Sequence, residues 1–169
     1  MTNQSPSITI LTAEDDPEYR ILLQEAFNAC GQENSVHFVD DGIDLLHFLR
    51  HQGKYANFKD VHRPDLILMD LNMPRKDGRS TLTELKADAN LRGIPVVVLT
   101  VSDAEDDILQ TYNHGGAGYI IKPQSYDELL EVVKIITQYW FDTVELINSE
   151  SLINVHARHK TNKYSREAI

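Results

Sequence analysis

Pro64-Asp65-Leu66-Ile67-Leu68-Met69-Asp70, followed by Leu71-Asn72-Met73-Pro74, decides how this chain is read. A short continuous apolar run, not an alternating one, marks a strand covered on both faces, as in a parallel sheet between helices. Pro74 cannot continue it, because proline lacks the ladder donor. Asp70 therefore falls at the carboxyl edge of a sheet, where open α/β folds carry their chemistry. Two further segments end in the same way. Residues 8–13 read as a strand that runs into Glu14-Asp15-Asp16, and Tyr119-Ile120-Ile121 delivers Lys122-Pro123. Three strand ends thus offer several carboxylates and one ammonium. Clustered carboxylates repel one another, so the site calls for a hard divalent cation, Mg²⁺ or Mn²⁺, held by oxygen ligands and retained waters.

Outward from that strand, strand and helix patterns alternate along the whole chain. Asp16 can cap a first helix with Pro17 at its first position, and 36–39 reads as a second strand ended by Asp40-Asp41-Gly42. A helix carrying Leu45, Leu46, Phe48 and Leu49 follows, then a polar connection over 53–63 that is long for such a fold. A third helix is expected over 79–89 and a β-branched strand over 94–100. The fourth helix spans 104–113, stopped by Gly115-Gly116, and the last strand 118–121. A fifth helix begins near Tyr126 and runs past Trp140. The (βα)₅ pattern predicts a flavodoxin-like, doubly wound parallel sheet in the order 2-1-3-4-5, with its site at the switch point between strands one and three.

Composition narrows the function. The chain has 169 residues, 41% apolar and 25% charged, enough for one domain with a full core. A formal charge of −10 argues against a nucleic-acid surface, which needs clustered Lys and Arg. No apolar run is long enough to span a bilayer and no secretory signal is evident, so a cytoplasmic protein with protein partners is expected. Cys30 falls on the stripe Tyr19, Leu22, Leu23, Ala26, Phe27 and reads as core. The expected division is an arm at 1–6, a domain at 7–147 and a polar, weakly basic tail at 148–169, without an effector domain.

Taken in order, Ile10-Leu11-Thr12-Ala13-Glu14-Asp15, Leu68-Met69-Asp70-Leu71-Asn72-Met73-Pro74, Asp77-Gly78, Val98-Leu99-Thr100 and Gly118-Tyr119-Ile120-Ile121-Lys122-Pro123 resemble the receiver domain of two-component response regulators, over roughly residues 7–146. The resemblance implies a role for each position. Asp70 would be the phosphoacceptor. Glu14, Asp15, Asp70 and the Asn72 backbone carbonyl would hold Mg²⁺, and Thr100 and Lys122 would meet the phosphoryl oxygens. Tyr119 would be the switch aromatic, coupling phosphorylation to the surface of the fourth helix, last strand and fifth helix. It implies a signalling protein that assists its own phosphorylation and dephosphorylation, and a cis Lys122–Pro123 bond. Two positions depart from the commonest pattern: Val101 is bulkier than usual after Thr100, and Glu14 replaces an aspartate.

Tyr139-Trp140-Phe141 sets three consecutive aromatics around a helix, where they cannot all face one core. That predicts a homodimer whose interface includes them. With the long connection before the third strand, the chain is similar to the small single-domain regulators that pair with cyanobacterial-type phytochrome kinases, which dimerise through the fourth helix, fifth strand and fifth helix. Two other classes compete. A haloacid dehalogenase-like phosphatase also uses a strand-end aspartate with Mg²⁺, but needs a second aspartate where Asn72 stands. A phosphorylation-independent dimeric scaffold would have no use for Asp70, Thr100, Lys122 and the acidic pair together.

Overall fold

The computed structural model describes residues 8–32, 36–58 and 63–147. The deciding run forms a strand over Leu66–Met69, in which all four residues are buried. In chain order the strands are β1 (Ile10–Ala13), β2 (Val36–Val39), β3 (Leu66–Met69), β4 (Val96–Thr100) and β5 (Gly118–Ile121). The helices are α1 (Pro17–Ala29), α2 (Gly42–Leu49), α3 (Gly78–Ala87), α4 (Glu105–Asn113) and α5 (Tyr126–Thr137). All pairings are parallel and the order is β2-β1-β3-β4-β5, as the alternating pattern predicts. β1 lies inside the sheet, Ile10 opposing both Val36 and Leu66. The chain passes from β1 out to β2 and back to β3, which leaves the crevice where Glu14 and Asp70 emerge.

Successive side chains on a strand point to opposite faces, so each strand feeds two cores. Leu11, Ala13, Ile67 and Met69 pack with Leu45, Leu46, Phe48, Leu82 and Leu85 of α2 and α3. Ile10, Leu66, Leu68, Val97 and Leu99 pack on the other face with Leu23, Phe27, Leu129, Val133 and Ile136 of α1 and α5. Each fully buried Leu or Ile contributes about 1.5–3 kcal/mol. That fixes the sheet on which the strand ends are mounted.

The helix starts lie beside the site and are set locally. Asp16 accepts from the Glu18 and Tyr19 amides, with Pro17 at the first position. Asp41 accepts from Ile43 and Asp44, and Asp77 accepts from Ser80. At Gly78 a Cβ would stand 2.3 Å from the Asp70 carbonyl oxygen, so the turn after β3 closes only on glycine. Cys30 ends α1 and is half-buried against the α1/α5 core.

The carboxyl end departs from expectation. α5 stops at Thr137, and the chain widens into a π-helical turn over Gln138–Thr143, with the Val144 amide donating to the Tyr139 carbonyl at 3.0 Å. The wider i→i+5 turn brings Trp140 and Phe141 together onto the α1/α5 core, although in a regular helix adjacent aromatics diverge. Tyr139 alone stays 51% exposed, its neighbour's ring edge-on at 5.0 Å. The connection before β3 begins with a 3₁₀ turn, Gly53–Tyr55, and Tyr55 packs edge-on against Phe48. The arm at 1–6, the tail at 148–169 and part of that connection lie outside the described residues. No helix among the described residues is long and apolar enough to cross a membrane.

Candidate functional site

Four strand ends converge. β1 carries Glu14 and Asp15, β3 carries Asp70, β4 ends at Thr100 and β5 delivers Lys122. The Lys122 amide donates to the Thr100 carbonyl at 2.7 Å, which continues the β4–β5 pairing one step and turns the lysine inward. Its ammonium donates to Asp70 Oδ2 at 2.7 Å and sits 2.5 Å from Glu14 Oε2. The other oxygen of each carboxylate is also occupied. Asp70 Oδ1 accepts from the Asn72 amide at 3.1 Å, and Glu14 Oε1 accepts from the Asp16 amide at 3.0 Å. The Lys122–Pro123 peptide is trans, where the resemblance implies cis.

Glu14, Asp70 and Thr100 are all nearly inaccessible, whereas Asp15 faces solvent. Burial raises the pKa of Glu14, and the hydrogen bond from Lys122 pulls the other way without cancelling it. For Lys122 burial acts downward, but its hydrogen bonds to Asp70 and Glu14 outweigh that and leave the ammonium firmly charged. Thr100 Oγ1 is buried with no hydrogen-bond partner among the described residues. Orphaned buried hydroxyls are uncommon because each costs desolvation free energy. This one belongs to the last residue of β4, the strand next to the one that ends at Asp70.

Glu14, Asp15 and Asp70 each place one carboxylate oxygen within 4.8 Å of the others. Three hard oxygen donors, one of them open to water, suit a Mg²⁺-class ion that keeps part of its hydration shell. Such an ion and Lys122 would compete for Glu14.

Tyr119 lies on β5 with its hydroxyl donating to the Ser102 carbonyl at 2.9 Å. Ser102 Oγ donates to Asp107 of α4 at 2.6 Å, and Arg79 of α3 grips both Asp107 oxygens at 2.6 Å each. Arg79 also reaches the Asn72 side-chain oxygen at 3.4 Å. A polar chain therefore runs from the loop after Asp70 to the aromatic on β5. Arg79 first and Ser102 second hold the Asp107 carboxyl down at about 2. No sequence signal marked Arg79, Ser102 or Asp107, since their meeting depends on how α3 packs beside α4. Tyr139, Trp140 and Phe141 are elsewhere. Trp140 lines a groove with Pro64, Ile94 and Pro95, at the opposite edge of the sheet from Asp70.

The fold and this cluster of strand ends define a two-component receiver, and the chain belongs to the response regulator receiver family, whose domain profile matches residues 10–134. That family is one of signalling proteins. The chain is 38% identical over 147 residues to the response regulator Rcp1 of a Synechocystis species, covering 86% of this chain and 98% of that one. Among solved structures it is similar to the phosphorylated cyanobacterial phytochrome response regulator RcpA, with TM-score 0.76 and 42% identity over 82% of this chain and 97% of that one. The Mn²⁺-bound form of Rcp1 superposes with TM-score 0.75 at 38% identity, over 83% and 99% of the two chains.

Proposed function

We propose that this chain is a stand-alone response regulator that accepts a phosphoryl group on Asp70 from the phosphohistidine of a sensor kinase of the phytochrome type. The observation that carries this reading is the Asp70–Lys122 contact of 2.7 Å, flanked by two further carboxylates, with an unpartnered Thr100 hydroxyl at the end of the neighbouring strand. Asp70 Oδ2 is the nucleophile. Its other oxygen is pinned by the Asn72 amide, so the carboxylate cannot rotate freely away from a donor held in line. Lys122 already touches the attacking carboxylate and can move with the phosphoryl group, donating to one of its oxygens. Thr100 donates to another. A cation bound by Glu14, Asp15, Asp70 and the Asn72 carbonyl, Mg²⁺ or Mn²⁺, would neutralise charge on the remaining oxygen. Lys122 must then leave Glu14, which directs its ammonium wholly toward Asp70.

Output follows from Thr100. A hydroxyl drawn toward a phosphoryl oxygen shifts the end of β4, and with it Ser102, whose carbonyl holds Tyr119. The consequence is a population shift at the α4, β5 and α5 surface. Leu109 and Tyr112 of α4, Ile121 of β5 and Ile135 of α5 are exposed there, which suits a homodimer extending to Tyr139. On this reading the protein works in the cytoplasm, and its partners are the kinase and a second copy of the chain.

Transfer profiling tests the assignment. Autophosphorylated kinases from the source organism, phytochrome-type ones included, are mixed with the protein and the rate of label transfer is followed. Fast, preferential transfer from a phytochrome-type kinase is expected. Equal, slow transfer from every kinase would refute that pairing.

A further inference from the structure

Tyr19 has no part in the site as built so far. It lies in the first turn of α1, three residues after the cap Asp16, and packs against the α1/α5 core. Its ring faces the Lys122 ammonium, with Nζ 4.2 Å from the ring centroid. Its hydroxyl is buried and has no hydrogen-bond partner among the described residues. A buried hydroxyl left unpaired is a cost to the fold. The ring face is therefore what the site gains from this residue.

Lys122 has three donors on a flexible four-carbon stem. Two carboxylates, Glu14 and Asp70, hold it by ion pairs, and the negative face of the Tyr19 ring is a third partner at 4.2 Å. Both carboxylates weaken their hold during the reaction, Glu14 when a cation takes it and Asp70 when its charge moves onto a phosphoryl group. The ring does not. We propose that Tyr19 is a positioning residue for Lys122, its ring face keeping the ammonium beside Asp70 while the carboxylates are engaged elsewhere.

The proposal rests on Asp70 being the phosphoacceptor, and the test separates the two. Tyr19→Phe and Tyr19→Leu are made in the full chain and phosphorylated with acetyl phosphate over a range of donor and Mg²⁺ concentrations, with product read by intact mass. Tyr19→Met, an unbranched side chain of similar reach, is the second variant if Tyr19→Leu folds poorly by urea titration. Mn²⁺ affinity is measured on each by calorimetry. Tyr19→Phe should match the wild type within about twofold, since the ring remains. The aliphatic variants should lose between about three- and thirtyfold in maximal rate, with donor half-saturation and Mn²⁺ affinity unchanged. A wild type that labels and aliphatic variants that label equally fast would overturn the role of Tyr19. So would a Phe variant as slow as the aliphatic ones, or a rate loss accompanied by an equal loss of Mn²⁺ affinity and urea stability. A wild type that takes no label would instead remove the Asp70 reading beneath it.

Discussion

At the scale of single residues, a buried ammonium is shared by two carboxylates. The Lys122 side chain is 9% exposed, with Glu14 and Asp70 more shielded still. Removing one member of a buried charge set leaves the others uncompensated, at a cost of about 3–5 kcal/mol. Lys122→Ala should therefore be destabilised by that order in chelator and recover part of the loss in Mg²⁺, which can neutralise the same carboxylates. Urea unfolding under both conditions checks this, and an identical loss in each would count against a shared site. Asp15→Asn should weaken Mg²⁺ binding by about tenfold or more, because a cation held by few carboxylates depends on each. The check is a calorimetric titration; unchanged affinity would move the metal elsewhere. These residues were legible in the sequence because each sits where an apolar run stops. Tyr19 was not, since its helical stripe is also what a core residue shows, and only the folded chain brings its ring to Lys122.

At the scale of elements, strands and helix starts were readable from local signals, and helix pairing was not. The caps Asp16, Asp41, Asp77 and Ser125 all accept from the first turns they precede. Each acts over a few residues. By contrast Arg79 and Asp107 lie 28 residues apart, and nothing in either neighbourhood names the other. Their pairing gives a pH prediction. Asp107 titrates at about 2 in the folded protein, with the Arg79 hydrogen bonds as the main cause, against about 3.9 in an unfolded chain. A depressed carboxyl stabilises the fold above its unfolded pKa and loses that contribution as pH falls through the folded one. Arg79→Gln should thus cost about 1–2 kcal/mol at neutral pH, with the gap from the wild type shrinking between about pH 4 and 2. Urea titrations across that range measure it. A gap that does not change with pH would mean that Arg79 acts through packing alone. The change of helix type after Thr137 was illegible for a related reason. Helical periodicity assumes a regular turn, and the π turn at Gln138–Thr143 rotates Trp140 and Phe141 inward.

At the scale of the whole molecule, the sheet order places one reactive edge and one outward surface on the same body, connected through β4 and β5. Tyr139 and Trp140 should separate association from folding. Tyr139 is exposed while Trp140 is tied to the chain's own core, so Tyr139→Ala should weaken the dimer and leave urea stability nearly unchanged. Trp140→Ala should do the reverse, costing about 2–4 kcal/mol of stability. Sedimentation at tens of micromolar, with and without phosphorylation, reads the first, and a wild type that stays monomeric throughout would refute the dimer. The fold class was legible because the alternation of apolar runs and caps spans the chain, whereas a surface for another protein has no comparable period. On the proposed function, Asp70 takes a phosphoryl group only under cation control. The most direct measurement is intact mass after incubation with acetyl phosphate. The wild type should gain one phosphoryl group in Mg²⁺ and none in chelator, and Asp70→Asn none in either; a gain that persists in Asp70→Asn would contradict it.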